Sequence, residues 1–246
     1  AQAIASRNSY GYLGTQSDIG CFSLSVAKTI STGQGGFAVT DDDVLASKIR
    51  AIRTQGVENV KEPKEWPMPG FNFRFSDIYA SIGIEQLKKL DGLVKSRQAL
   101  AERLTKGIKG LKGLSTPVTR PDFTHVYYVY PMILDLEQLG VGRDMIHAAL
   151  QAEGVAVSNR YQNIHLLPAY QKKIAYGSQG FPWSSDICKR DVSYEKGICP
   201  VAEKHQDSTY LGFGMCVYDL SDSDIDSIIA AFQKVWANLD SLRDLG

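Results

Sequence analysis

The sequence predicts an α/β chain that passes into an α+β one. In the first 110 residues, short strand-like apolar runs mix with stretches of helical periodicity. Beyond a Gly/Pro-punctuated segment, Gly110–Pro121, strands and helices mix again in a smaller unit. The length of 246 residues, 43% of them apolar, holds one large domain or two small ones. The expected division is residues 1–110 and 111–246.

In order along the chain, Ile19–Leu24 and Gly36–Thr40 read as short strands around a loop. Asp41-Asp42-Asp43 offers an N-cap, and Val44, Leu45, Ile49 and Ile52 recur at helical spacing through Arg53. Val57–Pro69 carries three prolines and mixed charge, which predicts a loop. A helix is expected over Ser76–Leu87. Another runs over Asp91–Lys109, with Leu93, Val94, Leu100, Leu104 and Ile108 as its apolar stripe. Tyr127–Leu134 alternates as a strand, Gly142–Glu153 is helical, and Val155–Ser158 is a second strand. Gly177–Gly197 is polar and reads as an insertion or surface loop. Asp219-Leu220-Ser221-Asp222 caps a helix over Asp224–Leu239, with Ile225, Ile228, Ile229, Phe232 and Trp236 on one face.

Lys+Arg and Asp+Glu both number 27, so the formal charge is zero, which argues against nucleic-acid and membrane-surface roles. The four cysteines show no C-x-x-C spacing, so neither a metal site nor a disulfide framework is indicated, and reduced thiols of a cytoplasmic protein are expected. The longest apolar stretch, Val126 to Leu136, is too short and too polar to span a bilayer.

The chemistry concentrates on one lysine. Cys21-Phe22-Ser23-Leu24-Ser25-Val26-Ala27-Lys28 leads into Thr32-Gly33-Gln34-Gly35-Gly36-Phe37-Ala38-Val39-Thr40. A lysine held between a strand and a glycine-rich turn can be partly desolvated, and such an amine is a nucleophile for carbonyl chemistry. A surface lysine beside a hairpin turn is the alternative. Gly33, Gly35 and Gly36 are expected to serve positive-φ backbone. The pattern S-x4-K-x4-G-x-G-G-x3-T resembles the pyridoxal-phosphate lysine motif of the DegT/StrS family of sugar aminotransferases. Three further stretches are similar to that family's motifs, in the right order: Pro69–Gly83, with Gln86-Leu87 and Leu90-Asp91 after it, then Ile164–Tyr170, then Cys199–Lys204. Ala1-Gln2-Ala3 resembles the end of a fourth, whose aspartate falls before Ala1.

The resemblance implies the C-terminal part of a fold-type I PLP-transferase, in which residues 1–110 form part of the large cofactor-binding domain, a mixed sheet with flanking helices, and residues 111–246 form the small domain. Lys28 is then the catalytic residue, bonding covalently to pyridoxal 5′-phosphate and shuttling a proton. A lysine there separates aminotransferases from relatives that dehydrate sugars with histidine at the same place. Ser23 is implied to bind the cofactor phosphate, although a strand-end serine can also cap its own backbone. Gln2 is implied to bind the ring hydroxyl, and Asn72 to reach the phosphate of a partner subunit's cofactor across a dimer interface. Arg74 clamps a substrate carboxylate or phosphate, or pairs with Asp77. His165 lines the substrate side, or is a satisfied structural residue. Gln34 stands where the family usually carries glutamate.

The implied activity is transfer of an amino group from glutamate or glutamine to a keto-sugar, most often nucleotide-linked, by a homo-oligomer. The family's N-terminal portion has no counterpart here, so this chain by itself is expected to bind the cofactor weakly or not at all and to show no useful transaminase activity. A non-catalytic binding or assembly subunit of the same fold is the alternative function.

Overall fold

The apolar run before Lys28 and the glycine-rich run after it pair as a hairpin in the computed structural model, which describes residues 1–57 and 66–243. The chain divides into two units. The first comprises Ala1–Arg103, Val118–Val129 and Met215–Ile225, the second Leu104–Pro117, Tyr130–Gly214 and Asp226–Gly246.

In the first unit, β1 (Arg7–Asn8) pairs antiparallel with β2 (Gly11–Tyr12). β3 (Gly20–Ser23) pairs antiparallel with β4 (Gly36–Val39), so that Ser23 faces Gly36. Both strands of the second hairpin lie within a residue or two of the predicted ranges. Helix α1 (Asp43–Arg53) starts where the aspartate run predicts, and the side chain of Asp42 accepts from the Leu45 N–H at 2.9 Å. The loop expected over Val57–Pro69 lies, at residues 58–65, outside the described residues. The stretch after it is tied to the end of α1: Phe71 N donates to Ile52 O at 2.8 Å and Phe73 N to Arg53 O at 2.9 Å.

Helix α2 is one continuous element, Asp77–Ile108, where the sequence predicts two. The expected break falls just before Asp91-Gly92. Gly92 costs only ~1 kcal/mol against alanine in a helix interior, and no proline removes a hydrogen bond. A single glycine does not interrupt this 32-residue helix, whose buried side chains, Val94, Leu100, Ala101, Leu104 and Ile108, follow it.

The second unit holds a four-stranded antiparallel sheet in the order β5-β6-β8-β7. Its strands are β5 (Leu114–Ser115), β6 (Tyr130–Leu134), β7 (Val157–Ser158) and β8 (Tyr210–Phe213), and Phe213 lies opposite both Tyr130 and Val157. Alternation along β6 buries Tyr130, Met132 and Leu134. Helices α3 (Leu136–Leu139) and α4 (Arg143–Ala152) follow β6. The short α5 (Pro168–Gln171) and α6 (Pro200–Lys204) flank the predicted surface loop, and α7 (Asp222–Ala237) and α8 (Leu239–Arg243) come after β8. Ile146 and Leu150 of α4, Leu211 of β8 and Phe232 of α7 are fully enclosed. Each such side chain contributes about 1.5–3 kcal/mol through burial. Thr105 and Tyr130 share a hydroxyl hydrogen bond of 2.6 Å, and Trp236 Nε1 donates to Lys112 O at 2.8 Å, so the polar ends of the buried rings are satisfied.

Candidate active site

Residues 24–35 connect β3 to β4 and carry Lys28. The connection is rigid because its backbone is paired: Leu24 N donates to Gly35 O at 2.9 Å, Val26 N to Gly33 O at 3.2 Å, and Thr32 N to Leu24 O at 2.9 Å. Leu24, Ile30 and Thr32 are buried and pin it from below. Gly33 (φ 87°) and Gly35 (φ 97°) occupy the left-handed region, as expected. At Gly35 a Cβ would also collide with the Phe75 ring. Gly36 does not adopt positive φ. It is needed because a Cβ there would meet the carbonyl oxygen of Phe22 across the ladder.

Lys28 is half-buried. Its Nζ donates to the Tyr128 hydroxyl at 3.4 Å and sits 4.7 Å from the centroid of the same ring. Its polar partner is thus neutral, and among the described residues it pairs with no carboxylate. The turn that presents Tyr128 is fixed by His125, whose Nδ1 accepts from the Tyr127 N–H at 2.8 Å and whose ring lies 4.2 Å from that of Tyr127. With Nδ1 as acceptor, the proton of the neutral imidazole is on Nε2. Burial lowers the His125 pKa and keeps the ring in that neutral form. Gln98 Nε2 donates to His125 O at 2.9 Å and ties the turn to α2. Gln2, Thr124, His125 and Tyr128 line a cavity of about 450 Å³. Lys28 itself lines a second one of about 370 Å³, with Arg97 and Cys216. Burial pushes the Cys216 thiol up, against the Arg97 charge, the Thr29 hydroxyl and the Lys28 charge, which act the other way.

The other predicted residues are placed as follows. Gln2 is exposed beside β3, where the Ala1 nitrogen donates to Cys21 O at 3.5 Å. Ser23 ends β3, and its Oγ accepts from Ser25 N at 3.3 Å, the local capping contact, while its hydroxyl donates to no acceptor among the described residues. Asn72 pairs with Thr54 in an isolated bridge and accepts from Arg74 Nε at 3.1 Å. Arg74 therefore binds Asn72, and among the described residues it makes no ion pair with Asp77.

His165 belongs to the second unit. Its Nε2 lies 2.9 Å from Glu203 Oε1, the Glu203 side chain being buried and that of His165 mostly so. The Glu203 carboxylate also accepts from Gly197 N at 2.8 Å and Cys199 N at 3.2 Å. Burial works against this charge, but those N–H groups and the imidazole outweigh it and hold the carboxyl below its ordinary range. The glutamate of the Cys199-Pro200-Val201-Ala202-Glu203 motif is a staple that fixes the start of α6 and the His165 turn.

Sequence reasoning missed Tyr128, which lies 100 positions from Lys28, and Arg97. A signal for Arg97 was present: it falls between Leu93 and Leu100 on the apolar stripe of α2, where a cation is out of place.

A lysine amine on a stiff strand-to-strand loop here faces a hydroxyl and is flanked by cavities, an arrangement that suits covalent amine chemistry. The chain belongs to the DegT/DnrJ/EryC1/StrS aminotransferase family, whose model matches residues 1–197. It is 28% identical over 96% of its length to the spore coat polysaccharide biosynthesis protein SpsC of Bacillus subtilis, of which it covers 58%. Over 64% of its length it is 33% identical to the GDP-perosamine synthase of Caulobacter vibrioides, covering 42% of that protein. The crystal structure of the aminotransferase TlmJ from Streptoalloteichus hindustanus superposes on 97% of the chain with a TM-score of 0.76 and 29% identity, over 57% of TlmJ. The fold is accordingly the α/β fold of these aminotransferases, and the chain spans about half the length of the curated relatives it matches. Among the described residues no helix is long and apolar enough to cross a membrane, and no cluster of His, Cys, Asp or Glu could hold a metal.

Proposed function

We propose that this chain carries the covalent lysine of a pyridoxal-phosphate-dependent sugar aminotransferase. It would move an amino group from glutamate or glutamine to a keto-sugar, most simply a nucleotide-linked one. The observation that supports this most is the Lys28 amine itself: half-buried, held on a rigid loop, and partnered by a hydroxyl rather than a carboxylate. An ion-paired lysine would be a poor nucleophile, and among the described residues this one makes no ion pair.

The residues at hand fit the cofactor at its reactive end. Pyridoxal phosphate, when bound, supplies an aldehyde for an amine and a conjugated ring that accepts an electron pair. Lys28 Nζ is the group to bond to that aldehyde and, once free, to hold the proton that leaves the donor's α-carbon. Tyr128 orients Nζ through its hydroxyl and ring face. Gln2 and His125 line the neighbouring cavity and are the residues to bind ring or sugar oxygens there. Ser23 retains a hydroxyl proton for the phosphate, and Asn72, with Arg74 at its side, is the residue to reach a partner subunit's cofactor. His165 serves the substrate side only by shaping its turn. In this reading residues 1–110 belong to the large domain and 111–246 to the small one, the enzyme is a homodimer, and its four free cysteines suit a reducing cytoplasm.

Reductive trapping tests the reading. The chain is incubated with excess pyridoxal phosphate, reduced with borohydride and digested for mass spectrometry. The expected result is a label on Lys28 that is absent from Lys28→Ala, which keeps its circular dichroism because Lys28 contributes nothing to the buried core. Label spread evenly over surface lysines would overturn the assignment.

A further inference from the structure

The Arg97 guanidinium is buried at Nη1 and has no hydrogen-bond partner there among the described residues. An orphaned buried charged donor is costly, and native structures tolerate one where an ion or ligand completes it. Arg97 lines the same cavity of about 370 Å³ as Lys28. The charges of both act on the Cys216 thiol in its wall, so the cavity is electropositive. A third donor is at hand in Gln86, whose Oε1 accepts from Ser31 N at 3.5 Å and whose amide nitrogen makes no hydrogen bond among the described residues. The carboxylate in the lining, Asp219, is exposed and makes no ion pair among the described residues.

From this geometry we infer that Arg97 forms a subsite for the carboxylate of the amino-acid donor, adjoining Lys28. The inference rests on the aminotransferase reading for the identity of its ligand. A planar guanidinium matches a carboxylate in two parallel hydrogen bonds. In an α-amino acid the carboxylate is one bond from the carbon whose proton the Lys28 amine must take, so the guanidinium and the amine of one cavity meet two adjacent groups of one small molecule. The phosphates of a nucleotide-linked sugar lie several bonds from the ketone, and a site beside Lys28 does not suit them. Arg97 is thereby a specificity residue for the donor.

Glutarate, a dicarboxylate without an amine, probes this subsite in the chain as it stands, by saturation-transfer NMR without cofactor. It is expected to bind, with at least tenfold weaker binding in Arg97→Gln and an intermediate loss in Arg97→Lys, which keeps the charge and loses the fork. Circular dichroism checks that each variant is folded. Should Arg97→Gln not fold, Lys28→Ala removes the second cation and is expected to weaken glutarate by a smaller factor. Unchanged binding in the folded Arg97→Gln, equal binding of uncharged glutaramide, or displacement of glutarate by a lower concentration of inorganic phosphate would each overturn the subsite. Borohydride labelling of Lys28 is read separately. Label without glutarate binding removes the subsite alone, and Arg97-dependent glutarate binding without label upholds it while removing the aminotransferase reading.

Discussion

Single side chains in this protein owe their states to burial set against a few directed hydrogen bonds. Glu203 is the clearest case, since burial opposes its charge and the N–H groups of Gly197 and Cys199 with the His165 ring prevail. A carboxyl whose pKa is lower folded than unfolded adds stability above its unfolded value and loses it as the pH falls through the folded one. Glu203→Gln is therefore expected to lower stability at neutral pH, with the difference shrinking below the ordinary carboxylate range and vanishing in acid. Urea midpoints across that range check this, and a difference undiminished in acid contradicts it. At this scale the sequence made Lys28 and its glycines legible, because a loop that must turn sharply leaves its glycines at fixed offsets. Tyr128 and Arg97 were not read, since a contact between residues 100 positions apart leaves no local spacing. Ser23 and Arg74 were legible as candidates, but only coordinates give their present partners, Ser25 N and Asn72.

Elements were legible where periodicity is long and capping explicit. Asp42 starts α1, and the helix over Arg143–Ala152 lies within the predicted Gly142–Glu153. Where the reading failed, the cause is a weak signal overvalued or a short one overlooked. Asp91-Gly92 suggested a helix boundary and is instead an interior turn of α2. β8, the strand between β6 and β7, was overlooked because Gly212 and Gly214 bracket Phe213 and hide the alternation. Gly212 is required there, since a Cβ would run into the Tyr210 ring. The continuous helix makes a prediction. A Cβ at Gly92 meets nothing within 4 Å, so Gly92→Ala is expected to stabilise the protein by about 0.5–1 kcal/mol through reduced unfolded-chain entropy. Thermal or urea unfolding measures it. A destabilised variant would mean that the helix is interrupted there.

For the molecule as a whole, large apolar side chains remain on the outside, on two faces of α2 and in the loop before it. Ile78, Ile82, Ile84 and Leu87 of α2 are each more than two-fifths exposed, and Phe71 and Phe73 stack beside each other in the preceding loop, also exposed. Surfaces of this kind mark interaction sites. With the dimer proposed above, the expected outcome is concentration-dependent association in sedimentation velocity, weakened by Ile78→Lys, which projects a charge from the most exposed of these helix positions. A monomer at all concentrations contradicts it. The first unit is stitched from three separate stretches of chain, the last being Met215–Ile225. During synthesis Lys28 leaves the ribosome first, Arg97 and Tyr128 follow, and Cys216 comes long afterwards. The Lys28 amine is thus made early and enclosed late, so a nascent chain exposes it unguarded until the Met215–Ile225 stretch arrives to close its surroundings.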